Sequence, residues 1–289
     1  MIDVCNIQVM KPLLESHGFH FSKAKGQNFL IAHWVPERIA EDSGVDESVG
    51  VLEIGPGIGP LTQQLCLRAK KVCAVEVDTR LEPLLQKTVG EFSNLEILWS
   101  DILKQDVKAL VAEKFAGLRP MACANLPYYI TTPILGALLE AECFERVTVM
   151  VQKEVAQRIA AKPGTADYGA FTVFCQFYAQ PELLFDVPPH CFMPQPKVTS
   201  AVVSLKVRDT LPWDILDKDL FFRVVKASFA MRRKTLQNGL TSGFPELGKA
   251  GAAEVIAAVG LPATVRGETL DIAGFVSIAN EIYRRKHNG

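Results

Sequence analysis

The 289 residues carry 31 Lys and Arg against 32 Asp and Glu, a formal net charge of −1, and 48% of them are hydrophobic. A chain of this length buries a sizeable core, as one large domain or one domain plus a small one. Its balanced charge excludes a global positive field, so any nucleic-acid contact must come from local patches.

The seven cysteines are an odd number and none forms a C-x-x-C pair, the usage of reduced thiols in a cytoplasmic protein. His17 and His20 are the only close histidines, with no Cys or His beside them to complete a metal set, so no metal is expected. The first residues lack the basic start and apolar core of a signal peptide, and no apolar run approaches the ~18 residues of a membrane span.

In chain order, Gln8 to His17 has helical apolar spacing and is expected to pack outside the core. Lys23-Ala-Lys-Gly-Gln-Asn-Phe-Leu30 has no period, and its lysines and amides suit either a loop closing over a ligand or a solvated surface loop. A helix is predicted from Trp34 to Ser43. Apolar runs then follow at Gly50–Ile54, Lys71–Val77, Leu95–Trp99, Met121–Ala124 and Val147–Gln152, separated by helical patterns at Leu61–Arg68, Arg80–Val89, Val107–Phe115 and Pro133–Ala141. This alternation predicts an α/β fold of Rossmann-like type, a parallel sheet with helices on both faces.

A further helix is predicted over Glu154 to Ala161, and Phe171, Phe174, Cys175 and Tyr178 form a helical stripe that reads as core. Phe185 to Lys197 contains four prolines and reads as a stiff loop leading into a last strand, Val198–Lys206. A boundary is expected at Arg208, giving a catalytic domain of residues 1–208 and a small all-helical domain of residues 209–289 with helices at Leu220–Asn238, Ala252–Val259 and Leu270–Arg285. Of two basic clusters in the tail, Arg284-Arg-Lys286 reads as a solvated helix face. Arg232-Arg-Lys234, anchored among apolar residues, suits either a solvated face or a phosphate contact.

The stretch Val51-Leu-Glu-Ile-Gly-Pro-Gly-Ile-Gly-Pro-Leu-Thr62 ends a strand in glycines Gly55, Gly57 and Gly59, which permit positive φ and close approach of a ligand to the main chain. Glu76 closes the next apolar run 21 residues after Gly55, matching the strand-end acid that grips a ribose. A nucleoside-containing cofactor explains both features, whereas a plain glycine turn explains only the first. The G-x-G-x-G spacing with Glu53 differs from the G-x-G-x-x-G of nicotinamide dehydrogenases and favours a methyltransferase.

Asn125-Leu-Pro-Tyr128, at the end of the fourth run, brings an amide oxygen, a backbone carbonyl and an aromatic face together. The Asn125 oxygen and the Leu126 carbonyl can accept both hydrogens of an exocyclic amine, and Tyr128 can stack on the base that carries it. A turn with a core tyrosine is the bland alternative.

With these residues, the chain resembles the ribosomal RNA adenine N6-dimethyltransferases that use S-adenosylmethionine. The resemblance spans nearly the whole chain: Gly26-Gln-Asn-Phe-Leu30, Leu52-Glu-Ile-Gly-Pro-Gly57, Glu76-Val-Asp78, Ser100-Asp101, Asn125-Leu-Pro-Tyr128, Phe192-Met-Pro-Gln-Pro-Lys-Val198 with Ser200-Ala-Val-Val203, and Phe229-x-x-Arg-Arg-Lys-Thr-Leu236. It implies that Asn28, Leu30, Gly55, Gly57, Glu76, Asp101 and Asn125 surround S-adenosylmethionine, and that Asn125, Leu126, Tyr128 and Phe192 hold the target adenine, Phe192 stacking opposite Tyr128. Leu126 and the long tail are more similar to the small-subunit enzymes than to the large-subunit resistance methylases. The partner implied is small-subunit ribosomal RNA in an immature particle, met by a monomer in the cytoplasm without metal or membrane. Tyr129 departs from the asparagine of many members. Methylation of another ribosomal adenine, or a non-catalytic RNA-binding assembly or transcription factor on the same fold, also fits these patterns.

Overall fold

The computed structural model describes residues 2–19, 27–231 and 233–287. Asn6, whose side chain accepts from the Gln8 N–H, starts α1 (Ile7–Ser16). Its Met10 and Leu14 are buried in a cluster with Phe29, Ile58, Leu84 and Leu85, so this helix is part of the core, contrary to the expectation that it packs outside. A two-residue strand β1 (Phe29–Leu30) and α2 (Trp34–Asp42) lead into β2 (Val49–Ile54), which is buried along its whole length. The chain then runs through α3 (Pro60–Cys66), β3 (Lys71–Glu76), α4 (Glu82–Thr88), β4 (Leu95–Trp99), α5 (Val107–Lys114), β5 (Arg119–Asn125), α6 (Thr131–Glu140) and β6 (Arg146–Gln152).

After α7 (Lys153–Ile159) and α8 (Ala170–Tyr178) come β7 (Ala179–Val187), the short β8 (Phe192–Met193) and β9 (Ser200–Val207). The seven long strands form one sheet in the order β4-β3-β2-β5-β6-β9-β7. Five are parallel, while β9 runs antiparallel to β6 and β7 antiparallel to β9. The sheet is therefore mixed at one edge. Period-2 alternation sends Val49 and Val51 into a cluster with Val35, Ile39, Leu61 and Leu65 of α2 and α3, while Gly50 on the other face lies directly under the Phe115 ring.

By contacts the chain divides into Met1–Ala156 with Ala179–Arg208, and Gln157–Tyr178 with Asp209–Gly289. The expected first domain of residues 1–208 thus needs correction over Gln157–Tyr178. The reason is pairing: Gly164 donates its N–H to the Glu268 carbonyl at 2.7 Å, Tyr168 donates its hydroxyl to the Leu270 carbonyl at 2.8 Å, and Phe177 stacks on Phe221 at 4.9 Å.

The rest of this second unit is helical: α9 (Lys218–Ala230), α10 (Leu236–Gly243), α11 (Gly248–Ala258) and α12 (Ile272–His287). The single helix expected over Leu220–Asn238 is two helices. Thr235 is extended, at φ −66° and ψ 158°, and α10 packs closely on α9. A Cβ at Gly239 would come within 2.6 Å of the Ala227 carbonyl oxygen, so Gly239 is a crossing point inside α10.

Candidate active site

The register fixes where the site forms. Ile54 lies level with Val75 on one side and Ala124 on the other, and Glu76 pairs with Trp99. The next residues, Gly55, Glu76, Ser100-Asp101 and Asn125, therefore come off four adjacent strands at one rim, spaced by roughly 4.8 Å per strand. The chain steps outward from β2 to β3 and β4, then returns to the other side of β2 as β5. Such a reversal opens a crevice at the carboxyl ends of the strands.

A cleft of about 1040 Å³, open mouth included, occupies this position. It is lined by Asn28, Leu30, Gly55, Gly57, Glu76, Asp101, Asn125, Leu126 and Tyr128, all expected as site residues.

Gly55, Gly57 and Gly59 have φ of 67°, 61° and 91°, which side chains rarely adopt. At Gly55 a Cβ would meet nothing within 4 Å, so the main chain there faces open space; at Gly59 it would lie 2.6 Å from Val89. One glycine thus clears room for a ligand and another lets α3 start close to its neighbours.

Glu76 is only 6% exposed. Its Oε1 accepts the Asp78 N–H at 2.7 Å, and the backbone N–H groups of Gly57 and Val77 also approach its carboxyl, so the acid clamps the glycine loop to the end of β3. Burial pushes its pKa up, and these bonds work against that rise. Asp78, which follows it, is structural: it takes two guanidinium bonds from Arg80 at 2.8 and 2.6 Å and one from Gln27 Nε2 at 2.9 Å. Asp101 caps the turn after β4 by accepting the Leu103 N–H at 3.0 Å.

On the β5 side, Asn125 Nδ2 points to the Asn28 carbonyl at 3.5 Å, a long contact that leaves its Oδ1 turned elsewhere. Leu126 is 1% exposed and donates its N–H to the Met150 carbonyl at 3.1 Å. Its own carbonyl accepts no bond among the described residues. Tyr128 is half-buried with its hydroxyl held by Ser200 Oγ at 2.6 Å, and burial raises its pKa. Two acceptors and a tethered ring therefore share one end of the cleft.

Phe192 is the exception. Its strand β8 pairs antiparallel with β1, setting Phe192 opposite Leu30, and this register turns the ring into the cluster of Val35, Ile39 and Val202. It is 1% exposed and does not line the cleft, so the expected stacking wall opposite Tyr128 is not formed by Phe192.

Val77 and Ile102 are among the lining residues that the sequence did not single out, while Tyr129, noted there as a departure, also lines the cleft. Val77 and Ile102 each directly follow an acid, Glu76 and Asp101, and that adjacency was the available signal. Lys23 and Lys25 of the preceding loop lie outside the described residues, as does Arg232. Arg233 and Lys234 are exposed between α9 and α10, whereas Arg285 is paired with Glu281 and Glu254, and Lys286 with Glu246. Among the described residues no group of three His, Cys, Asp or Glu could hold a metal ion, and no helix is long and apolar enough to cross a membrane.

The residues present fit S-adenosylmethionine. Open space at Gly55 admits a ligand to the main chain, Glu76 and Asp101 stand two and three strands from Asn125, and apolar Val77 and Ile102 line the cleft beside the two acids.

Residues 18–282 match the model of the family described as ribosomal RNA adenine dimethylase. Proteins named ribosomal RNA small subunit methyltransferase A are similar along nearly the full length: that of Geobacillus thermodenitrificans is 47% identical and that of Geobacillus kaustophilus 48%, each with 94% of both chains covered. Among solved structures, a dimethyladenosine transferase from Plasmodium falciparum aligns with a TM-score of 0.76 at 24% identity, over 89% of this chain and 98% of its own, and so attests the fold. The 23S rRNA methyltransferase ErmE aligns at 0.67 and 25% identity, over 89% of this chain and all of its own. The chain belongs to the ribosomal RNA adenine dimethylase family, enzymes that methylate ribosomal RNA adenines with S-adenosylmethionine as cofactor.

Proposed function

We propose that this protein transfers methyl groups from S-adenosylmethionine to the N6 amines of two adjacent adenosines in small-subunit (16S) ribosomal RNA, giving N6,N6-dimethyladenosine. It would act in the cytoplasm as a monomer on an immature small subunit, within ribosome biogenesis. The observation that carries the reading is the rim itself: acids suited to a nucleoside on β3 and β4, and amine acceptors with a tethered ring at the end of β5, open into one cleft. The small-subunit assignment is supported by relatives of that name at 44–48% identity.

The cofactor supplies an electrophilic methyl group; the protein supplies position. Glu76 and Asp101 hold the nucleoside end, and Gly55 lets it lie against the main chain. The lone pair of adenine N6 is delocalised into the ring and is poorly nucleophilic. Asn125 Oδ1 and the Leu126 carbonyl, by taking both N–H hydrogens, favour a pyramidal amine whose lone pair is free. Tyr128 stacks on the base, with Ser200 fixing the ring's orientation. No strong base is required before the transfer, because displacement at a sulfonium carbon is governed chiefly by alignment; the amine, cationic once it has gained the methyl group, is acidic enough to give its extra proton to water.

Selection of one RNA site must come from outside this cleft, through shape and phosphate contacts. The exposed Arg233 and Lys234, with Arg232, are candidates for those contacts, as are Lys23 and Lys25.

The test is incubation with unmethylated small subunits followed by mass-spectrometric mapping of adenines. Dimethyladenosine that disappears in Asn125→Ala supports the reading. Methylation confined to large-subunit RNA refutes the substrate, and particle binding without methylation refutes the enzyme.

A further inference from the structure

Tyr128 and Tyr129 are consecutive, yet the one-turn helix Tyr128–Ile130 sends them into opposite situations. Tyr128 is half-buried and anchored to Ser200, whereas Tyr129 is 59% exposed and its hydroxyl bonds to nothing among the described residues.

Single exposed apolar residues are ordinary on a surface. What distinguishes Tyr129 is its place: it is one of two residues, with Val77, that are large, apolar, more than half exposed and part of the cleft lining. Val77 follows β3 beside Glu76. Tyr129 follows β5, two strand spacings or roughly 10 Å away, on the side of Asn125. Its exposed ring thus lies on the rim of the cleft beside the residues proposed to hold the target base.

A target base that leaves its stack exposes the faces of its neighbours, and aromatic side chains are what take over such a stack. Resting on the adenine reading above, we propose that Tyr129 is the stacking platform for the unpaired base adjacent to the target adenine. The site would then engage two consecutive nucleotides, one held in the cleft by Asn125, Leu126 and Tyr128 and one on its rim. Any base has a π face, so the platform contributes affinity and register without reading base identity.

The test compares the full-length protein with Tyr129→Ala and Tyr129→Phe. Small-subunit methylation gives KM and kcat, calorimetry gives S-adenosylmethionine affinity, and a short single-stranded RNA with 2-aminopurine on either side of one adenosine reports stacking by quenching. Tyr129→Ala should raise the KM for RNA roughly 5- to 150-fold, the equivalent of ~1–3 kcal/mol of stacking at 1.4 kcal/mol per tenfold. It should abolish the quenching and leave cofactor affinity within about twofold, while Tyr129→Phe should quench and keep the low KM.

Quenching and KM unaltered in Tyr129→Ala would overturn the proposal. So would a loss confined to cofactor affinity, which would make Tyr129 a wall of the cofactor site. If the unaltered protein fails to methylate small subunits, the adenine reading fails instead, and quenching still decides whether Tyr129 stacks on RNA.

Discussion

Replacing Glu76 separates the duty its carboxylate shows, holding the turn after β3, from the one proposed for it, binding a ribose hydroxyl. The group offers about four lone-pair directions; the Asp78 N–H bonds to Oε1, and the Gly57 and Val77 N–H groups approach the carboxyl without filling it. Acceptor capacity therefore remains for a ribose hydroxyl. Glu76→Gln keeps the volume but removes the charge and turns one acceptor into a donor. The affinity loss should therefore match one charge-assisted bond, ~1.5–3 kcal/mol. At 1.4 kcal/mol per tenfold this is roughly a 10- to 150-fold rise in Kd for S-adenosylmethionine, read by calorimetry. Glu76→Ala should add a stability cost, because buried N–H groups lose their acceptor at about 1–3 kcal/mol each. That is a fall of roughly 2–4 °C in Tm per kcal/mol for a unit of this size. If the folded Glu76→Gln protein binds the cofactor with unaltered Kd, Glu76 is only the clamp of the glycine loop and the ribose role is refuted.

Glu53 provides a pH prediction. Burial pushes its carboxyl up to about 8 from the ordinary 4.5; the Thr62 hydroxyl offsets part of this and the Glu76 charge adds to it. Neither Glu53 Oε2 nor Thr62 Oγ1 has a partner in good hydrogen-bond geometry, so burial dominates. The folded state keeps the proton to higher pH than the unfolded chain. Its contribution is therefore complete below pH 4.5 and is lost as pH rises towards about 8, at ~1.36 kcal/mol per unit. Glu53→Gln should flatten that fall, and urea midpoints that track the unsubstituted protein across this range would refute it. Phe192→Ala should act through stability, costing ~3–5 kcal/mol for a buried ring, with cofactor affinity retained at low temperature in the protein that stays folded. A stable Phe192→Ala protein that has lost only RNA methylation would restore the stacking role to Phe192. Neutralising Arg232, Arg233 and Lys234 together should weaken particle binding and flatten its salt dependence, since fewer counterions are released. A salt slope equal to that of the unsubstituted protein would remove the cluster from the RNA interface.

What could be read in the sequence and what could not divide along a physical line. The glycine loop, Glu76 and Asn125-Leu-Pro-Tyr128 are legible because each is a local requirement: a backbone at φ 67° needs glycine wherever the chain goes next, and a strand-end acid keeps its spacing from that glycine. Register then brings them together with no further information, since parallel neighbours that begin level end level. Position set by distant pairing is not legible. Phe192 lies in a motif as conspicuous as any other, but only its antiparallel partner Leu30 decides that the ring turns inward. The edge strand β7 escaped notice for the same reason. Pro181 and three exposed residues, Gln180, Glu182 and Leu183, interrupt its pattern, and an outermost strand tolerates this because it bonds to one neighbour only. Gln157–Tyr178 looks continuous with the strand before it and is claimed by contacts with residues roughly a hundred positions later, such as Tyr168 with Leu270. Tyr129 lies between these cases. Its neighbour's motif places it at the rim, but the sequence does not say that Tyr128 is tethered to Ser200, 72 positions away, while Tyr129 is left exposed. Two identical side chains adjacent in sequence thus take different places, one inside the cleft and one on its rim, and only the folded protein tells them apart.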